Sequence, residues 1–167
     1  MSKRIYSFAF DSQFATISML KKQIFEDLKT AMKSGETEKR DVLRMLDSMI
    51  KNTEIELKKR EEGLSDEEVL TVIGKAVKQR KDAMAQFAEG GRPELAEKEA
   101  SEVDILMAYL PAQLSEEAVR EVVLAVIAET GATSKADIGK VMGLAMSRLK
   151  GQTDGNVVKK IAEEQLA

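Results

Sequence analysis

The sequence predicts an all-α protein, and three observations carry that prediction. Apolar residues recur at helical spacing in one segment after another. Serines and aspartates stand where helix caps are wanted. The composition favours helix formers, with only two prolines and 4% aromatic residues. The 167 residues are 43% apolar and 33% charged, with a net charge of −3, the balance of a chain that buries a core. The expected architecture is an N-terminal long-helix hairpin region, about 19–110, followed by a small C-terminal three-helix domain at 115–167. Residues 1–18 are expected to be an N-terminal extension.

The leader, MSKRIYSFAFDSQFATIS, carries Tyr6, Phe8, Phe10 and Phe14 without a clear period. It lacks an apolar core long enough for a secretory signal and has no small-residue cleavage site. Lys3, Arg4 and the serines are compatible with a mitochondrial address, but an upstream start or an added extension fits the short segment better. The first helix is expected over Ile17 to Met32, with Leu20, Ile24, Leu28 and Met32 inward, and Ser34-Gly35 ends it. The second is expected over Thr37 to Glu62, with Val42, Leu46, Met49, Ile50, Thr53 and Leu57 inward. Its Lys58-Lys59-Arg60 run suits the negative end of the helix dipole.

Gly63-Leu64-Ser65 is a turn, and Ser65 with Glu68 forms a capping box, with Asp66 and Glu67 adding acids to the first turn. The third helix should run to about Ala88, burying Val69, Val72 or Ile73, Ala76, Val77, Met84 and Phe87. Its basic middle, Lys75, Lys78, Arg80 and Lys81, reads as a solvated helix face. Glu89-Gly90-Gly91 breaks the chain and Pro93 opens the fourth helix, which carries Leu95, Val103, Leu106, Met107 and Leu110. Pro111 disfavours helix at the residue before it and marks the best domain boundary. Ser115 caps the fifth helix, whose valine-rich face is Val119, Val122, Val123, Val126 and Ile127. A strand is conceivable there, but the acid-rich start and the alanines favour helix.

The last stretch, from Ser134 to Leu166, reads as two short helices joined by a glycine turn. Ser134 and Asp137 have capping-box spacing, and Ile138, Val141, Met142, Ala145, Met146 and Leu149 give one apolar face. Gly151 stands where a left-handed cap wants glycine, and Asp154 can cap the next helix, with Val157 or Val158, Ile161, Ala162 and Leu166 inward. Two features exceed a generic helix pair. Gly139 and Gly143 share a face, each at a cost of about 1 kcal/mol against alanine, which suggests that another backbone passes close by. Lys135, Lys140, Arg148, Lys150, Lys159 and Lys160 stand against only Asp137 and Asp154, a local excess of four positive charges on an acidic chain. A basic patch of this kind is a candidate surface for anionic ligands.

The exclusions are broad. With no cysteine and no histidine, the chain has no disulfide, thiolate, imidazole base or Ser-His-Asp triad. No apolar run is long enough to span a membrane, and the default expectation is a cytoplasmic protein. Gly139-Lys140 fails the phosphate-loop pattern at both Ser134 and Val141. The acids Asp66, Glu67, Glu68, Glu116 and Glu117 are consecutive at helix starts, where capping and the dipole account for them better than acid–base catalysis does. No cofactor and no metal is expected.

The run GKVMGLAMSRLKGQTDGNVVKKIAEEQL resembles the tail of the GatB subunit of tRNA-dependent amidotransferases. The run KAVKQRKDAMAQFAEGGRPELAEKEASEVDILMAYLPAQLSEE, Lys75 to Glu117, resembles the stand-alone proteins of the GatB/YqeY family. Together the resemblance covers about Met19 to Leu166. It implies the same two-part division and a tRNA-contacting appendage rather than a catalyst by itself. The implied partners are tRNA, or an aminoacyl-tRNA synthetase or amidotransferase, with the six basic residues touching phosphates. With no aromatic from Pro111 onward, such contacts would read backbone and shape rather than stack on bases. Two other readings are carried: a protein-interaction module docking on such an enzyme without touching RNA, and carbon–nitrogen ligase activity with glutamine as amido-N donor.

Overall fold

A computed structural model describes residues 18–166; the aromatic leader lies outside the described residues. Among these residues there are seven α-helices and no strand: α1 (Met19–Ser34), α2 (Thr37–Glu56), α3 (Asp66–Glu89), α4 (Pro93–Met107), α5 (Glu116–Thr130), α6 (Ile138–Leu149) and α7 (Gly155–Gln165). A single 3-10 turn, Lys135–Asp137, leads into α6.

The caps place the helix starts. Ser18 accepts from the Lys21 amide and opens α1. Ser65 and Glu68 form a reciprocal capping box, with Glu68 N donating to Ser65 Oγ at 3.3 Å and Ser65 N to Glu68 Oε2 at 2.9 Å. Ser115 caps α5 and Asp154 caps α7. Pro93 occupies the first turn of α4, and Gly35, Gly131 and Gly151 take left-handed φ at helix ends.

Two apolar cores follow from these elements. The first gathers Ile24, Leu28, Val42, Leu43, Leu46 and Ile50 from the α1–α2 hairpin with Val69, Ile73, Ala76 and Leu106 from the α3–α4 hairpin. The second gathers Val119, Val123 and Val126 of α5, Val141, Ala145 and Leu149 of α6, and Val158 and Ile161 of α7. The valine-rich segment is a helix, and of the two candidate valines in α7 it is Val158 that is buried. α1 packs on α2, α3 on α4, and α5, α6 and α7 on one another. No helix of one core packs along a helix of the other.

Three expectations need correction. α2 stops at Glu56, not Glu62, because Lys58 enters the left-handed region (φ 57°) and Lys59 N returns to Glu54 O at 2.7 Å. Leu57 is therefore half exposed, and the Lys58-Lys59-Arg60 run lies in the loop, where Lys59 Nζ meets Glu68 at 2.5 Å. The early stop brings Leu64 into the core and leaves Glu54 buried, answered by Lys21 Nζ at 2.5 Å. Met32 is 59% exposed because α1 buries Ala31 in its place.

Polar ties lock the first bundle. Arg80 reaches from α3 to Glu102 at 2.7 Å and Glu99 at 3.4 Å on α4. Tyr109, buried after α4, donates from Oη to Asp27 Oδ2 on α1 at 2.6 Å. Burial first, then the carboxylate acceptor, raise its phenol pKa well above the ordinary value of about 10. The phenol's contribution is therefore full below about pH 10 and is lost as pH rises further, since the unfolded chain ionises first. Tyr109→Phe should cost about 1–3 kcal/mol at neutral pH and flatten the loss of stability above about pH 10, as measured by urea unfolding at the two pH values.

Candidate functional site

The six basic residues of the tail do not form one patch. Lys140 Nζ donates to Thr130 O at 3.3 Å, at the C-terminal end of α5, and Arg148 pairs with Glu129 on the same end. Lys160 lies at the opposite end of α5, 3.3 Å from Glu116. The 15 residues of α5 separate these ends by about 22 Å. Lys159 pairs with Glu163 along α7 at 3.7 Å. Lys150 leaves the tail bundle altogether and pairs with Glu67 at the start of α3. Lys135 and Lys140 are exposed and have no carboxylate partner among the described residues. The pairs made by Arg148, Lys159 and Lys160 are surface pairs, worth about 0–1 kcal/mol each, so they dilute the local field without fixing those side chains.

Gly139 and Gly143 are exposed on α6, and a Cβ built on either meets nothing within 4 Å. The close backbone expected at these glycines is therefore not supplied by the described residues. Within the tail the glycine with the nearest neighbour is instead Gly151, where an added Cβ would stand 3.4 Å from Pro111 Cδ.

A cleft of about 610 Å³ opens between the two cores. α3 forms one wall, and the C-terminal end of α6 with the turn into α7 forms the other. Its floor is apolar, from Leu70, Val77, Met107, Leu110 and Met146, and Lys75, Lys78, Lys81 and Lys150 rim it. The α3 lysines are those that sequence reasoning assigned to a solvated face. The signal that separates them from Arg80 is register. Leu70, Gly74, Val77 and Lys81 recur on one side of α3, and Gly74 adds an interior helix glycine whose Cβ position is open space.

The acids of the helix starts are held in structural roles. The Asp66 carboxylate accepts from Ser18 Oγ and the Leu20 amide, and the hydroxyl contact above all holds its pKa below the usual range. Glu68 is likewise lowered, first by Lys59 and then by the Ser65 amide. Among the described residues no group of acids is arranged to hold a metal ion, and no helix is long and apolar enough to cross a membrane.

A family model described as "Yqey-like protein" matches residues 21–166, taking in both cores. The chain is also similar to proteins named "Altered inheritance of mitochondria protein 41, mitochondrial". The Kluyveromyces lactis protein is 41% identical over 85 residues, 50% of this chain and 44% of the relative. Saccharomyces cerevisiae relatives are 37% identical over 98 residues, 58% of this chain and 49% of theirs. The Candida glabrata protein is 37% identical over 86 residues, 51% of this chain and 46% of its own. The chain spans about half the length of the curated relatives it matches. These names correct the expectation of a cytoplasmic location, because the relatives are mitochondrial proteins. That expectation rested on a missing membrane span, which does not distinguish one aqueous compartment from another.

Because both α6 glycines face open space, Gly139→Ala and Gly143→Ala should leave the fold intact and each raise stability by up to about 1 kcal/mol, read as an increase in the thermal midpoint.

Proposed function

The chain belongs to the Yqey-like family, and from that premise we propose that it is a non-catalytic accessory protein that contacts tRNA, or a tRNA-aminoacylation or amidotransferase complex, through its C-terminal bundle. The observation that carries this reading is the pair Lys135 and Lys140. Both are exposed and free of carboxylate partners among the described residues, Lys135 in the 3-10 turn that leads into α6 and Lys140 in the first turn of α6. Such cations are available to phosphates without first giving up an ion pair, and each phosphate contact releases condensed counterions. The resemblance of the tail to that of GatB supports the same assignment. The absence of aromatics beyond Pro111 makes the contact one of backbone and shape. Arg148, Lys159 and Lys160 serve as secondary contacts, since their surface pairs are weak. The names of the relatives support a mitochondrial setting for this role.

The test is filter retention of total tRNA by the purified chain across a salt series. Lys135→Glu with Lys140→Glu should lower affinity at low salt by about tenfold or more and reduce the slope against salt by about two. An affinity and slope unchanged in this double variant would refute the assignment. Release of ammonia from glutamine by the pure chain would favour the carbon–nitrogen ligase reading instead.

A further inference from the structure

We infer that the cleft between the two bundles is a docking groove for an acidic amphipathic helix of a partner protein. This goes beyond the RNA reading, which concerns Lys135 and Lys140 at the far end of α6.

Three properties of the cleft define its occupant. The first is its floor. Leu70, Val77, Met107, Leu110 and Met146 present apolar surface, and methionine adapts its shape to varied apolar partners. An apolar floor gives nothing to a phosphate, and no aromatic side chain lines the cleft to stack on a base. The second is its charge. Lys75 and Lys81 have no carboxylate partner among the described residues, while each acid of the lining is already engaged. Glu67 pairs with Lys150, Glu68 with Lys59 and the Ser65 amide, and Asp154 accepts from Asn156 N at 2.9 Å to cap α7. Lys78 pairs only with Asp82 on the exposed surface, at 3.1 Å. The lining carries four lysines against three acids, and the lysines without carboxylate partners lie along α3, which favours carboxylates flanking the apolar anchors of the partner.

The third property is the form the partner must take. One wall is a helix, whose backbone groups are bonded internally, and the other is the end of α6 with the turn into α7, so neither offers a strand edge to an extended peptide. A helix brings its own backbone hydrogen bonds satisfied. The α3 wall from Glu67 to Lys81 is about 21 Å long, the rise of a partner helix of about 14 residues. At its centre Gly74 keeps the wall low. That glycine costs α3 about 1 kcal/mol, and nothing among the described residues requires it, since its Cβ would meet open space.

The experiment is fluorescence anisotropy with the full chain and a pool of labelled synthetic peptides of about 14 residues. The pool carries Leu, Ile or Met at i, i+3, i+4 and i+7 with Glu at the flanking positions. The controls carry Lys in place of Glu, or the same residues scrambled. Peptides of the Glu pool should bind, with the controls weaker by about tenfold or more. Lys75→Glu with Lys81→Glu should remove that preference. Gly74→Leu should fill the groove and block binding, with the helical circular dichroism and thermal midpoint retained. Lys135→Glu with Lys140→Glu should bind the peptides as the unaltered chain does, which separates this groove from the RNA reading. No binding by the Glu pool, equal binding of the Lys control, or binding unmoved by both cleft variants would overturn the inference. So would displacement of bound peptide by a single-stranded polyuridylate, which would make the groove a nucleic-acid site. A concentration-dependent dimer abolished by Gly74→Leu in sedimentation equilibrium would overturn it as well, by making the occupant a second copy of this chain.

Discussion

The arrangement of the molecule depends on the seat of Pro111 against Gly151. Pro111 stops the helical path after α4, and its ring packs against Gly151, 3.4 Å from where a Cβ there would stand. Gly151 has φ 71°, a conformation that L side chains rarely adopt, and a Cβ there would make ordinary van der Waals contact with Pro111 and Leu110. Around this contact Gln113 Nε2 donates to Gly151 O at 2.7 Å and to Pro111 O at 3.0 Å, and Leu114 N donates to Gln152 O at 2.8 Å. The Lys150–Glu67 pair closes the same corner. The bundles are thus joined at a corner rather than along a helix–helix seam, and the cleft is the space that this geometry leaves beside α3.

Two surfaces of different chemistry result. At the α5–α6 turn, Lys135 and Lys140 have no carboxylate partner among the described residues and belong to a bundle that has no aromatic, a surface suited to phosphates. In the cleft, lysines rim an apolar floor, a surface suited to a carboxylate-bearing helix. Their separation follows from the packing of the tail: α6 commits Val141, Ala145 and Leu149 to the core. Lys140 is left beside the end of α5, while Met146 and Lys150 face the cleft. The proposed role, with RNA held on one side and a protein partner on the other, uses such a division.

Much of the fold was legible because caps are local. Ser65, Ser115 and Asp154 bond to amides two or three residues away, so the sequence window that encodes each cap also contains its partner. The end of α2 was not legible for the converse reason. Lys58 takes a left-handed conformation to deliver Leu64 into a core built from distant helices, and no local signal at a lysine announces that. Met32 and Ala31 are adjacent, and the packing of α1 on α2 decides which of them is buried. At the candidate site, the tail cations were visible as a count, but their dispersal around α5 is set by tertiary structure. The α3 lysines read as a solvated face, and Lys75 and Lys78 are exposed; the second wall facing them is not legible locally, because it comes from residues some 70 positions further along.

The most direct test of the account is a lysine-acetylation footprint of the full chain, read by mass spectrometry with and without total tRNA. If the two surfaces are distinct, tRNA protects Lys135 and Lys140 and leaves Lys75 and Lys81 as reactive as in the free protein. Protection of Lys75 and Lys81 with Lys135 and Lys140 still reactive would contradict it, and would place the RNA in the cleft between the bundles.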